Sequence, residues 1–166
     1  MTGNKHFDSR QMFKHACAFV DCALFCEREP QNIKTGVLTH TVADIVNSSF
    51  ACEVFIKSLL VFHDIPIKEL KGHELKALWE KFKTVDAVSA SLVEEKIIEI
   101  FNSNNELMFE EFLENISNAF GYWRYIYEKD GGKIQINFLR IFREALREIC
   151  CEKFYKMSWN EFITRE

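Results

Sequence analysis

Apolar residues recur at three- and four-residue intervals along almost the whole of this 166-residue chain, which is the period of an amphipathic α-helix. The sequence holds only two prolines and six glycines, so few positions can interrupt a long helix. The segment GKIQINF comes nearest to the period-two alternation of a strand, and it is short. The pattern predicts an all-α fold: a helical bundle of four long helices plus short accessory helices.

Breaks and capping residues define the predicted helices. Long helices are predicted over 8–27, 39–63, 106–129 and 135–155, and shorter ones over 72–82 and 89–102. Asp8 is the expected N-cap of the first helix. Ser91 and Glu94 have capping-box spacing in the fourth, and Ser158 and Glu161 repeat that spacing in the tail.

Length and composition narrow the class of protein. A chain of this size fits one domain, with a core over about 7–155 and a short C-terminal extension over 156–166. No apolar stretch of 18 residues lacks charges and the N-terminus has no apolar signal core, so we expect a cytoplasmic protein without a membrane span. The net charge of −4 is not the overall positive charge that is typical of nucleic-acid-binding proteins.

The sequence predicts no cofactor and no metal site. It lacks a P-loop, a dinucleotide glycine fingerprint and a Gly-x-Ser-x-Gly elbow. Its six cysteines lack the short paired spacing of metal ligands, so we interpret them as reduced thiols packed in the core.

The predicted second helix carries a carboxylate in its apolar face. That face comprises Val42, Ile45, Val46, Ser49, Cys52, Glu53, Ile56, Leu59 and Leu60. An unpaired carboxylate inside a core costs on the order of several kcal/mol. Glu53 therefore either lies at the edge of the stripe and reaches water, or meets a cation from another helix.

The best candidate cation is Arg124, within the aromatic segment FGYWRYIYE of the predicted fifth helix. Its guanidinium can pair bidentately with a carboxylate and can stack on aromatic rings, so a Glu53–Arg124 pair is predicted. The alternative partner is Glu128, four residues further along the helix, in an exposed pair worth about 0.5 kcal/mol. We interpret His73, at the start of the short third helix, as a capping or packing residue.

Two parts of the chain resemble one family. The segment NSSFACEVFIKSLLVFHDI, followed by KGHELKALWEKF, is similar to the HEPN domain family, the helical domains of many prokaryotic toxins and defence proteins. The later segment ISNAFGYWRYIYE resembles the helix that carries the signature of that family. The resemblance covers residues 7–154 and implies a HEPN-like bundle.

In active HEPN ribonucleases, the signature is an arginine followed, after four to six residues, by a histidine. The arginine can stabilise developing phosphate charge, and the histidine can move protons. Arg124 matches the arginine, and Glu53 matches a polar helper position on another helix, but Lys129, Asp130 and Gly131 stand where the histidine is expected. The resemblance therefore implies a member without strong metal-independent ribonuclease activity.

We accordingly predict a binding or regulatory module of a bacterial defence or toxin–antitoxin system, whose partner is RNA, a nucleotide or another protein. Arg124, Glu53 and Tyr127 are the predicted ligand-binding residues. One alternative is a ribonuclease in which Glu53 or Glu128 replaces histidine as the base. Another is a scaffold in which Arg124 and Glu53 only fix helix register. A symmetric homodimer is expected, because tyrosines such as those beside Arg124 are typical of interfaces.

Overall fold

The computed structural model describes residues 8–29, 34, 39–101 and 106–165, and every regular element in these residues is helical. The all-α prediction is confirmed. The α-helices are α1 (Ser9–Arg28), α2 (Thr39–Phe62), α3 (Leu75–Val85), α4 (Ala87–Ile100), α5 (Glu106–Ile116), α6 (Ala119–Trp123), α7 (Ile136–Tyr155) and α8 (Trp159–Thr164), with single 3-10 turns at Ile67–Glu69 and Ile126–Glu128.

The central helix of the bundle is α2, which contacts α1, α3, α6 and α7. The predicted inner face is confirmed in the middle of the helix, where Cys52, Ile56 and Leu59 are fully buried. Val42 and Val46, nearer its start, are only partly buried. Because neighbours cover α2 on several sides, its sequence is apolar on several sides.

The same helix is long and apolar enough to cross a membrane by length and composition, with a mean hydropathy of 1.6 in the best window of His40–Phe62. The sequence predicts no membrane span, because charged residues interrupt every apolar stretch of that length. Other helices bury 61% of this window, and a helix at the centre of a bundle needs the same apolar composition as a spanning helix.

Two of the predicted helix starts are confirmed by their hydrogen bonds. The Asp8 carboxylate accepts from the Arg10 N–H at 2.9 Å, as an N-cap does. Ser158 and Glu161 form the complete capping box of α8. The capping box proposed for the fourth helix is wrong, because α4 begins two residues earlier than predicted and Asp86 caps it by accepting from the Ser89 N–H.

The predicted continuous helix over 106–129 is also wrong, because the chain divides it into α5, α6 and the second 3-10 turn. Ser117 explains the first break. Its carbonyl oxygen accepts the Leu75 N–H at 3.0 Å, and its hydroxyl accepts the Lys76 N–H at 3.1 Å. These two N–H groups belong to the first turn of α3, where a helix has no partners of its own. Of the four predicted long helices, α1, α2 and α7 are confirmed.

Candidate functional site

Glu53 lies on the buried side of α2, with 2% of its surface exposed. Its carboxylate accepts a hydrogen bond from Lys57 Nζ at 2.7 Å and another from His73 Nδ1 at 2.9 Å. The interpretation that Glu53 reaches water at the edge of the stripe is therefore wrong. The buried carboxylate therefore has hydrogen-bond donors, as a buried charge must, but Lys57 comes from its own helix and His73 from the loop before α3.

Lys57 also fixes the loop that carries His73. Its ammonium donates to the Gly72 carbonyl oxygen at 2.8 Å, so one cation bridges α2 and the loop. Gly72 has a φ of +94°, a conformation that favours glycine. The loop backbone is thereby held against α2, with the imidazole of His73 directed at the Glu53 carboxylate.

His73 was expected to cap or to pack. Capping is wrong: the N-cap residue of α3 is Glu74, and α3 has no side-chain cap bond. The His73 ring does pack, with its centroid 5.2 Å from that of Phe120, but its bond to Glu53 was missed. The sequence signal available for that bond was the pair Gly72–His73, which follows the helix that carries Glu53, a buried carboxylate in need of a partner.

Arg124 is exposed at the C-terminal end of α6. The predicted pair with Glu53 is not among the ion pairs of the described part of the chain, and neither is the alternative pair with Glu128. Helical spacing no longer applies to the second pair, because α6 ends at Trp123, before both of its members. Instead the guanidinium carbon lies 4.9 Å from the ring centroid of Phe120 and 4.7 Å from that of Tyr125.

Phe120 joins the two halves of the site, because it contacts both His73 and Arg124. Its ring also stacks on Phe50 of α2, with the centroids 4.9 Å apart. The structure therefore brings Glu53 and Arg124 to one region through an intervening histidine and a phenylalanine, rather than by direct contact.

Tyrosines continue this surface on the solvent side. Tyr125 is 41% exposed and Tyr127 is 76% exposed, and their ring centroids lie 6.3 Å apart. Glu128 is exposed beside them. We use the term Arg124 surface for His73, Phe120, Arg124, Tyr125 and Tyr127. It combines one permanent cation, one imidazole and exposed aromatic faces.

The geometry of the histidine restricts what Glu53 can do chemically. When Nδ1–H of His73 donates to the carboxylate, the other ring nitrogen, Nε2, carries a lone pair and can accept a proton. Glu53, already bonded to two donors, orients the imidazole and is poorly placed to act as the base itself. The pairing resembles the carboxylate–imidazole arrangement of many general bases.

The cysteines differ in burial, and Cys17 and Cys26 are intermediate. Cys52, Cys150 and Cys151 are buried, as expected, whereas Cys22 is exposed, which the packing interpretation did not predict. Burial raises the pKa of the Cys17 and Cys151 thiols to about 12, so both are protonated and unreactive at neutral pH. Within the described residues, no three His, Cys, Asp or Glu side chains come together as a metal site.

No protein-family model matches the chain, and neither a curated protein nor a solved structure does.

Proposed function

We propose that this chain is a HEPN-like helical module that binds single-stranded RNA, or a nucleotide with the same phosphate and base chemistry, through the Arg124 surface. It acts in the cytoplasm as a homodimer, in a bacterial defence or toxin–antitoxin setting. The observation that carries the proposal is the guanidinium of the exposed Arg124 against two aromatic rings, one of which, Phe120, also packs on the imidazole held by the buried Glu53 carboxylate.

This combination suits single-stranded nucleic acid for a physical reason. Unpaired bases stack on aromatic side chains, and cations bind the phosphates between them. Tyr125 and Tyr127 present exposed rings, while Arg124 supplies positive charge and His73 a hydrogen-bonding imidazole. The overall charge of −4 opposes non-specific binding, so the affinity depends on this local surface and falls with added salt.

A second candidate is a ribonuclease in which His73 is the base. The favouring observation is the 2.9 Å bond between His73 Nδ1 and Glu53, which supports an imidazole rather than a carboxylate in that role. Nε2 of His73 would take the proton of a 2′-hydroxyl as its oxygen bonds to phosphorus, and Arg124 would stabilise the negative charge on the attacked phosphate. The bond from phosphorus to the 5′ oxygen would break, and water would protonate that leaving oxygen. A well-placed proton transfer of this kind is worth roughly a hundred- to ten-thousand-fold in rate.

The test measures fluorescence anisotropy of a labelled single-stranded RNA in chelator, with wild type, Arg124→Ala and the matched control Arg28→Ala. Arg28 is an exposed arginine in the last turn of α1. We expect Arg124→Ala to weaken binding about tenfold, the scale of one hydrogen bond to a charged group, and the control to behave as wild type. Equal RNA binding by all three proteins would contradict the proposal.

The same samples on a denaturing gel separate the two candidates. RNA that stays intact supports the binding module. RNA that is cleaved by wild type but not by His73→Ala or Arg124→Ala establishes the ribonuclease instead. A competition series with a mononucleotide tells whether the ligand is a polymer or a nucleotide, and light scattering at high micromolar concentration tests the dimer.

A further inference from the structure

A cavity of about 440 Å³ lies away from the Arg124 surface and shares no residue with it. Its walls come from four helices, with Leu24 of α1, Lys96 of α4, Arg147 of α7 and Trp159 of α8 among the lining residues. The volume is within the usual range for small-molecule sites. Nothing in the proposed RNA-binding function uses this cavity.

Charged side chains of α7 line the cavity, and their acidic partners are already engaged. Glu27 lies 2.7 Å from an Nη of the buried Arg143. Glu144 pairs with Arg143 and with Arg147, and the Glu148 carboxylate accepts the Trp159 backbone N–H at 3.1 Å. Each of these carboxylates therefore already has a partner within the protein: an arginine for Glu27 and Glu144, and a backbone N–H for Glu148.

The cations, in contrast, keep unused donors. Arg147 is nine-tenths buried, yet its Nε has no hydrogen-bond partner among the described residues. A buried donor without a partner is rare and costly in a folded protein. Its guanidinium carbon lies 4.3 Å from the Trp159 ring centroid, so the indole holds the group in place. Arg140 binds Asp44 through Nε and Nη2, and no partner is described for its Nη1.

Lys96 adds an exposed ammonium at the same cavity and belongs to none of the ion pairs in the described part of the chain. Between these cations the walls are apolar, with Leu24, Ile100 and Ile141 among them. The lining thus combines positively charged hydrogen-bond donors, which suit an anionic group of a ligand, with aliphatic surface, which suits an apolar part of the same ligand.

We propose that this cavity is a binding site for a small organic anion, a carboxylate or a phosphate monoester with a short apolar body. The anionic oxygens accept hydrogen bonds from Arg147 and Lys96, and the body packs against Leu24 and Ile141. A planar aromatic body stacked on the indole is disfavoured, because Arg147 covers one face of Trp159 and Phe162 stacks on the ring at a centroid distance of 5.7 Å.

Three probes of equal chain length test the chemistry: hexanoate, hexyl phosphate and neutral hexan-1-ol, each titrated into the ¹⁵N-labelled full chain and followed by amide shifts. We expect saturable binding of at least one anion, with shifts in α7 and α8, and at least tenfold weaker binding of hexan-1-ol. The comparison of the two anions tells which head group is preferred. No saturable shift with either anion, or equal binding of the alcohol, overturns the proposal.

Variants locate the site. Lys96→Ala changes an exposed residue and should weaken anion binding a few-fold, while the exposed Lys14→Ala of α1 should leave it unchanged. Arg147→Lys, which keeps the charge but removes the Nε donor, should weaken it about tenfold. Unaltered binding in Lys96→Ala alone would contradict the assignment even if Arg147→Lys failed to fold. Arg124→Ala should bind the probes as wild type does, so this result is independent of the RNA experiment.

Discussion

Replacing Glu53 with glutamine removes the one negative charge between Lys57 and His73 while keeping the shape of the side chain. Glu53 and Lys57 have 3% and 13% of their side chains exposed, whereas His73 has 53%. The Lys57 bond is therefore the larger contribution, and solvent screens the His73 bond. A hydrogen bond to a charged group contributes about 1.5–3 kcal/mol, so we expect Glu53→Gln to lower the free energy of unfolding by about 2–3 kcal/mol at neutral pH.

Urea unfolding followed by circular dichroism measures this loss, with an unchanged slope as evidence that unfolding remains two-state. A loss of that size corresponds to a decrease of about 4–12 °C in Tm for a domain of this length. The control is Glu95→Gln, an exposed position of α4, which should stay within about 0.5 kcal/mol of wild type.

A double-mutant cycle tests the cause. Glu53→Gln leaves the Lys57 ammonium largely buried with only the Gly72 carbonyl as acceptor. Adding Lys57→Met removes that uncompensated charge, and replacing both members of a buried pair is often close to neutral. The double variant should therefore be more stable than strict additivity predicts. Strictly additive losses, or a loss below about 0.5 kcal/mol in Glu53→Gln alone, would refute the reasoning.

Two other perturbations have expected outcomes of defined sign. Partial burial opposes ionisation of Asp86, but hydrogen bonds from Lys153 and Ser89 outweigh it and hold the pKa of this carboxyl well below its usual range. The stability that the Asp86 carboxylate contributes is present above the unfolded pKa of about 3.9 and is lost as pH falls through the folded pKa. In urea titrations, the difference in free energy of unfolding between wild type and Asp86→Asn should therefore be full at pH 7 and shrink in acid. A difference that grows as pH falls would contradict this. Lys156, the C-cap of α7, has a left-handed backbone with φ 59°. Lys156→Gly should therefore raise the free energy of unfolding by up to about 1 kcal/mol in the same assay. A loss of stability would mean that the lysine side chain stabilises the fold by more than its backbone strain costs.

Local features of the sequence determined most of the helices. Periodicity and caps depend on residues within one or two turns of each other, so Asp8, the buried stripe of α2 and the Ser158–Glu161 box could be recognised without knowledge of the fold. The same local reasoning failed over 106–129. Ser117 breaks that helix by hydrogen-bonding to the first turn of α3, some forty residues earlier in the chain. The spacing of apolar residues in the segment cannot reveal a partner so distant in sequence.

The candidate site was decided even more by tertiary structure. The sequence marked Glu53 as a buried carboxylate in need of a partner and marked Arg124 as an unusual cation, and both are placed in the same region. It could not identify the partner, because a buried charge requires only some cation within hydrogen-bond reach, and several positions far apart in sequence satisfy that condition. The tertiary structure determines which residue pairs with Glu53. Lys57 binds the loop at Gly72, so His73, and not Arg124, contacts the carboxylate.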